Sequence, residues 1–355
     1  MVDGVNVGKA PEGLVDLKAG IRFLKANSDT ICGDTEKIVT VGWSAGGAMS
    51  SLLGTTGDYE AYNDYLEKIG AVMDSSDSVY ASMCYCPIIN LENADAAYEW
   101  MYGAYYEKTD AFNQAVSENL AARYVDYVNG ENLKDPETGE ALTLDGRYGG
   151  SLYDYMTRKM EEAATKFLSR NKNANDYANK YSWLSWDGST AKIESVEAML
   201  GAKYVTPLKS TLAFDSWETD AAENLEFGSE TVNVSHFDTM IPAVLDDLKD
   251  DYPTEYKTYY EAFQTDAADP AKQEQVYLLN PMNYVGDNST TKAQHFRIRV
   301  GTKDTDTSWL VGLIFGIELE NQTDATVDMS YVWDKPHTMA DYEGEFCQWI
   351  DSICK

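Results

Sequence analysis

The stretch VTVGWSAGGAMSS, residues 39–51, constrains the fold of this 355-residue chain more than any other. KIVTVG (37–42) is a short β-rich run, and AGGAMSSLLG reads as a helix of small residues. Between them Gly42, Ser44 and Gly46 form a G-x-S-x-G turn. A strand, a sharp turn and a helix in that order belong to a parallel sheet with helices packed on it. The glycines at 42 and 46 permit a tight approach of the two arms, and Ser44 is pushed out on a strained turn. Its Oγ then faces solvent over the C-terminal edge of the sheet. The helix N-terminus behind it favours negative charge, and the backbone N–H of Ala45 is placed to donate to an oxyanion. The alternative is a turn serine without chemistry, and the flanking strand and helix weigh against it.

The rest of the chain continues this pattern, breaks from it and returns. Pro11 opens PEGLVDLKAGIRFLKAN, where Leu14, Leu17, Ile21 and Leu24 recur at helical spacing. SVYASMCYCPI (78–88) reads as the next strand, apolar throughout as expected when both faces are covered. After Pro87 the composition shifts to Tyr, Trp, Ala and acids. AAYEWMYGAYY, SLYDYMTRKMEEAATKFL and SVEAMLGAKY are helical patterns there, and 169–190 reads as a wandering Asn- and Tyr-rich loop. HFRIRVG (295–301) returns to strand character, TSWLVGLIFGIELENQ (307–322) to a helix, and ATVDMSYVW (325–333) to a last strand. ADYEGEFCQWIDSIC (340–354) closes as a helix with Phe346, Ile350 and Ile353 on one face. The expected division is a core in two parts, 1–87 and 286–355, around a mainly helical insertion at 88–285.

Charge narrows the partners. With 59 acidic against 28 basic residues the net charge is −31, which disfavours nucleic acid and anionic membranes. The five cysteines fit no disulfide framework or zinc spacing. Cys84 and Cys86 are expected on one face of a strand, as small buried hydrophobes. MVDGVNVGKAPEG lacks the basic-then-apolar run of a signal peptide, and WLVGLIFGI (309–317) is too short to span a bilayer. A cytoplasmic location is the default, with export open if a preceding segment carried a signal. No metal or cofactor is indicated: DTD at 304–306 lacks EF-hand spacing, and no glycine-rich nucleotide loop follows a strand.

A serine hydroxyl needs a base, and histidine suits neutral pH. There are three histidines. His295 begins a strand and His236 lies in the insertion. His337, in WDKPHTMAD, follows the last strand and precedes the last helix, where a base can meet Ser44; otherwise it is a surface loop histidine. The acid that orients it should follow an upstream strand. In GTKDTDTS both Asp304 and Asp306 qualify, and either could instead cap the helix near Ser308.

Taken together, KAPEGLVDLKAGIRFLKAN, GWSAGGAMSSLLG, LKSTLAFDSWETDAAEN (208–224), LLNPMNYVG (278–286), RIRVGTKDTDTSWLVG and VWDKPH resemble the bacterial tannase family. This is a branch of the α/β hydrolases related to feruloyl esterases, and the resemblance spans essentially the whole chain. It implies Ser44 as nucleophile, Asp304 as acid and His337 as base. It also implies that Asp306, Lys209 and Glu223 bind substrate ring hydroxyls, and that the insertion is a lid. Read from the residues alone, Lys209 and Glu223 are a helix-flanking lysine and a capping glutamate. Trp43 departs from the family's usual G-T-S-A-G-G, and the acidic, Tyr-rich 236–275 looks padded. Relatives carry further strands ahead of the nucleophile strand, with a glycine-containing loop that supplies a second oxyanion N–H. The expected fold is therefore an N-terminally truncated α/β-hydrolase core of four strands, near 37–42, 78–86, 295–300 and 326–333. One parallel strand is then exposed at an edge, with low stability expected alone.

The implied reaction is hydrolysis of a carboxylic ester, best a galloyl or other hydroxylated aromatic ester, through an acyl-enzyme. A general carboxylesterase, a feruloyl esterase and an impaired hydrolase-like protein lacking its oxyanion loop are the alternatives. Oligomeric state is not legible.

Overall fold

The computed structural model describes residues 4–355. Six strands occur among them: β1 Val39–Trp43, β2 Ala81–Tyr85, β3 Leu184–Trp186, β4 Ala191–Ile193, β5 His295–Lys303 and β6 Thr326–Pro336. β1, β2, β5 and β6 form one parallel sheet in that order, with registers such as Val41–Met83, Met83–Arg297 and Arg297–Asp328. These are the four strands the sequence indicates. β1 forms one edge, and its Val41 and Trp43 are 48% and 47% exposed.

Helices α1 (Glu12–Ala26), α2 (Ala45–Thr55) and α3 (Asn63–Lys68) belong to the first part of the chain; α2 packs on β1 and β2, and α1 packs on α2 and α3. Between β2 and β5 come α4 (Ala94–Tyr102), α5 (Ala111–Gly130), α6 (Ser151–Arg170), α7 (Ala174–Ala178), α8 (Val196–Gly201), α9 (Ala222–Glu226), α10 (Ile241–Leu248), α11 (Pro253–Ala268) and α12 (Pro270–Leu278). α13 (Trp309–Gln322) joins β5 to β6, and α14 (Glu345–Ile353) closes the chain. The architecture is an α/β-hydrolase-like core with a large helical lid insertion.

The pleat explains the layers. Along β5 the apolar Phe296, Ile298 and Val300 alternate with Arg297 and Arg299. On one face Gly312 and Gly316 let α13 approach Val300, Ile298 and Met329; a Cβ at Gly312 would sit 2.8 Å from Val300. On the other face Ala81, Met83 and Tyr85 pack against Trp349, Phe346 and Ile350 of α14. The two arginines are buried there and neutralised: Arg297 by Asp328 and Asp341, Arg299 by Asp328. Ser308 caps α13, its Oγ accepting from the Leu310 N–H at 3.3 Å.

Three expectations are corrected. α1 buries Leu14, Val15, Lys18, Ile21 and Arg22, while Leu17 and Leu24 are exposed. The helix is turned so that two cations reach buried Asp77: Lys18 Nζ at 2.8 Å and Arg22 Nε at 2.7 Å. Second, 169–190 is not loop throughout; α7 lies within it, and β3 pairs with β4 as an antiparallel hairpin. Third, Cys84 and Cys86 do not share a strand face. Both are buried, but β2 ends at Tyr85 and Cys86 turns away with φ +41°. Of the other cysteines, Cys32 and Cys347 are exposed and Cys354 is half-buried; all five are free thiols. The reading of the opening as no signal peptide begins on residues 1–3, outside the described residues. No described helix is long and apolar enough to cross a membrane.

Candidate active site

Ser44 follows β1 directly and precedes α2. Its φ of 60° and ψ of −123° put it in strained territory for a residue with a side chain. The backbone holds it there: the Ser44 N–H donates to the Tyr85 carbonyl at 3.0 Å, and the Ala48 N–H donates to the Ser44 carbonyl at 3.0 Å. Only one glycine of the motif is a steric necessity. A Cβ at Gly42 would lie 1.8 Å from the Gly46 carbonyl oxygen, whereas a Cβ at Gly46 meets nothing within 4 Å. Gly47, outside the motif, is the second necessity, its Cβ position 2.6 Å from the Tyr85 oxygen. The N–H of Ala45, first in α2, has no intrahelical acceptor and stays available at the serine.

The loops after β5 and β6 bring Asp304 and His337 together. His337 Nδ1 donates to the carboxylate of Asp304 at 2.9 and 3.0 Å. Asp304 is fully buried. One of its oxygens also accepts the N–H groups of Asp306 (2.8 Å) and Thr307 (3.3 Å), which fixes the turn. The geometry separates the two aspartates that sequence left open: Asp304 faces the imidazole, and Asp306 points outward to Lys209. Burial pulls the His337 pKa down, but the hydrogen bond and charge of Asp304, with the charge of Asp306, outweigh it and leave it raised. Because an ionised carboxylate can only accept, the contact with Asp304 places the proton of the neutral ring on Nδ1 and leaves Nε2 without one. Nε2 is buried and makes no hydrogen bond among the described residues, so Ser44 Oγ is not bonded to it. The Trp43 ring is 6.1 Å from the His337 ring.

Lys209 Nζ lies 3.5 Å from Asp306 and 4.6 Å from the centroid of the Phe214 ring. Buried Tyr98 of α4 ties the two segments together: its hydroxyl accepts from the Lys209 N–H at 2.8 Å and donates to the Thr305 carbonyl at 2.9 Å. Its neighbour Tyr102 donates to the Asp304 carbonyl at 3.1 Å. Sequence reasoning passed over both tyrosines, which resemble any others in a Tyr-rich insertion. Glu223 is not part of the Lys209–Asp306 pair. It lines a cavity of about 300 Å³ with Ser44, Ala45, Met49, Leu91 and Leu279.

The other histidines lie elsewhere. His295, at the N-terminal end of β5, has Nε2 at 3.1 Å from the Tyr80 hydroxyl. His236 is buried, with Nδ1 at 2.7 Å from Asp215 and its ring stacked 3.6 Å from Phe263. That second His–Asp pair anchors the segment carrying Glu223, since Asp215 also accepts from Asn224 at 2.7 Å.

A family model described as BD-FAE matches residues 5–127. Among solved structures, the chain is similar to the native tannin acyl hydrolase of Lactobacillus plantarum, with 31% identity and a TM-score of 0.85. That match covers 100% of this chain and 74% of the other. A tannin acyl hydrolase in complex with ethyl gallate matches at 31% identity and TM-score 0.85, over 100% and 73%. The tannase of Fusobacterium nucleatum matches at 30% and 0.82, over 100% and 75%. No curated protein matches.

Proposed function

Since the chain belongs to the bacterial tannin acyl hydrolase (tannase) family, we propose that it hydrolyses aromatic carboxylic esters through Ser44, His337 and Asp304. The observation that carries this reading is the buried Asp304–His337 pair, which leaves Nε2 as a free base over the sheet edge that bears the strained Ser44. On binding substrate, His337 Nε2 takes the proton of Ser44 Oγ as the oxygen attacks the ester carbonyl. The developing oxyanion accepts from the Ala45 N–H, aided by the positive end of α2. The imidazolium, held by Asp304, then protonates the leaving alcohol. Water, deprotonated by the same Nε2, releases the acid and restores Ser44.

Asp306, Lys209 and Glu223 supply the ring specificity. A ring with adjacent hydroxyls offers donors to the carboxylates, and Lys209 favours a phenolate oxygen. The similar protein with ethyl gallate bound points to the same class of ester. In this reading 88–285 is a lid and substrate-binding unit, set between core parts 1–87 and 286–355.

The test compares purified protein with Ser44→Ala on methyl gallate, methyl ferulate and p-nitrophenyl acetate. Serine-dependent turnover concentrated on the gallate is expected. Serine-dependent turnover of the acetate alone keeps the triad and removes the ring assignment. No difference between parent and Ser44→Ala on any of the three overturns the reading.

A further inference from the structure

Cys86 takes no part in that reaction, yet it sits against the residues that do. A φ of +41° is strained for cysteine, and such outliers collect at functional sites. The side chain is fully buried, and its Sγ–H donates to the carbonyl of Thr338, next to His337, at 3.3 Å. Sγ, a carboxylate oxygen of Asp304 and a ring nitrogen of His337 all lie within 4.8 Å of one another.

We propose that Cys86, Asp304 and His337 form an inhibitory site for a soft divalent cation of the zinc or cadmium class. Thiolate, carboxylate and imidazole are the donors such ions take, while magnesium and calcium require more oxygen ligands than this cluster holds. Metal–ligand bonds of roughly 2.0–2.3 Å give a tetrahedron with edges of about 3.3–3.7 Å. His337 Nδ1 and Asp304, now 2.9 Å apart, need part by only a few tenths of an ångström. Cys86 Sγ, within 4.8 Å of both, closes in, and the fourth position is left to water.

The chemistry of inhibition follows from the tautomer. The cation bonds Sγ, and the thiol proton passes to solvent. It bonds Nδ1, and the proton of that nitrogen moves through solvent to Nε2. The imidazole stays neutral but no longer offers a lone pair to Ser44 Oγ, so the base is lost without any change at the serine. The thiolate and carboxylate together balance a charge of +2, and the net charge of −31 draws cations to the protein.

The test uses a background in which Cys32, Cys347 and Cys354 are serine, which removes the accessible competing thiols. Cadmium chloride is added. Bound cadmium is measured by equilibrium dialysis and by thiolate-to-cadmium absorbance, and covalent labelling of Ser44 by a fluorophosphonate is followed in parallel. One equivalent should bind and suppress labelling. Cys86→Ala should lose the absorbance and require at least about 10-fold more cadmium for the same occupancy. Should Cys86→Ala fail to melt cooperatively, Cys86→Ser keeps a buried donor but offers a hard ligand, and is expected to behave the same way. Equal cadmium affinity with and without the Cys86 thiol overturns the proposal, as does equal suppression by magnesium chloride. Dialysis and absorbance do not depend on ester turnover, so the site stands or falls separately from the substrate assignment.

Discussion

At His337 the sign of the pKa shift decides how the rate depends on pH. Burial alone would lower it, but Asp304 and then Asp306 raise it above the ordinary value of 6.5. In the proposed reaction His337 is the general base, and a base works when neutral, so that proposal expects the acid limb of kcat/KM above pH 6.5. Asp306→Asn removes one of the raising charges and leaves Lys209 unopposed, so the limb should move to lower pH. A p-nitrophenyl acetate profile checks this without involving ring recognition; a limb that stays put or moves upward contradicts the attribution. The same shift stabilises the fold fully below the unfolded histidine's pKa, and the gain is lost as pH rises through the folded value. Asp304→Asn removes the charge that holds the Nδ1–H tautomer, and kcat should fall on the order of 10⁴-fold. At the turn, Gly42→Ala drives a methyl into the Gly46 carbonyl and should cost about 1–3 kcal/mol or more. Gly46→Ala enters open space on a helix and should be neutral or stabilising by about 0.5–1 kcal/mol. Paired thermal melts separate these two; equal losses would mean the elbow is not held by the Gly42 contact.

Among the elements, α1 is fastened by charge as much as by apolar contact. Asp77 receives both Lys18 and Arg22, all three buried, and also accepts from the Asp58 N–H at 2.9 Å. Asp77→Ala strands two buried cations and should destabilise by about 3–5 kcal/mol, whereas Lys18→Met leaves Asp77 paired with Arg22 and should cost clearly less. Denaturant melts of the two variants decide it; similar losses would show that Lys18 rather than Asp77 carries the network. Burial opposes ionisation of Asp77, yet the cations hold its pKa below the usual value. Its contribution is therefore present above the unfolded carboxylate pKa, and is lost as pH falls through the folded one. This network also marks what the sequence leaves unreadable. Lys18 and Arg22 interrupt an apolar stripe, and their partner is more than fifty residues away, so periodicity alone turned the helix to the wrong face. The four core strands were legible because each is a β-rich run bounded by turn residues, buried throughout in β2 and alternating between apolar and charged side chains in β5. Ser44 and His337 could be singled out as candidates because each directly follows a strand, after β1 and β6 respectively. Asp304 was distinguishable from Asp306 only once the direction of a tight turn was known. Lys209 and Glu223 entered through family resemblance alone, since their positions depend on Tyr98, Asp95 and Asp215 contacts across the lid.

For the molecule as a whole, two features oppose each other: a large negative charge and an open sheet edge. Among the described residues β1 pairs only with β2, so its other side, beside exposed Val41 and Trp43, is a surface onto which another strand can add. Repulsion between copies of net charge −31 keeps such edges apart at low ionic strength. At 1 M salt the screening length falls to about 3 Å, and that protection fades. Light scattering should therefore show association as sodium chloride is raised at constant pH, while the thermal melt stays cooperative. Val41→Lys puts a charge on the edge strand itself and should restrain that association at the same salt, with Ser44-dependent turnover of p-nitrophenyl acetate retained. Equal association by parent and variant would place the contact elsewhere on the surface. A parent that stays monomeric throughout would mean that the twist and shortness of β1 already suffice to keep strands from adding, independent of charge.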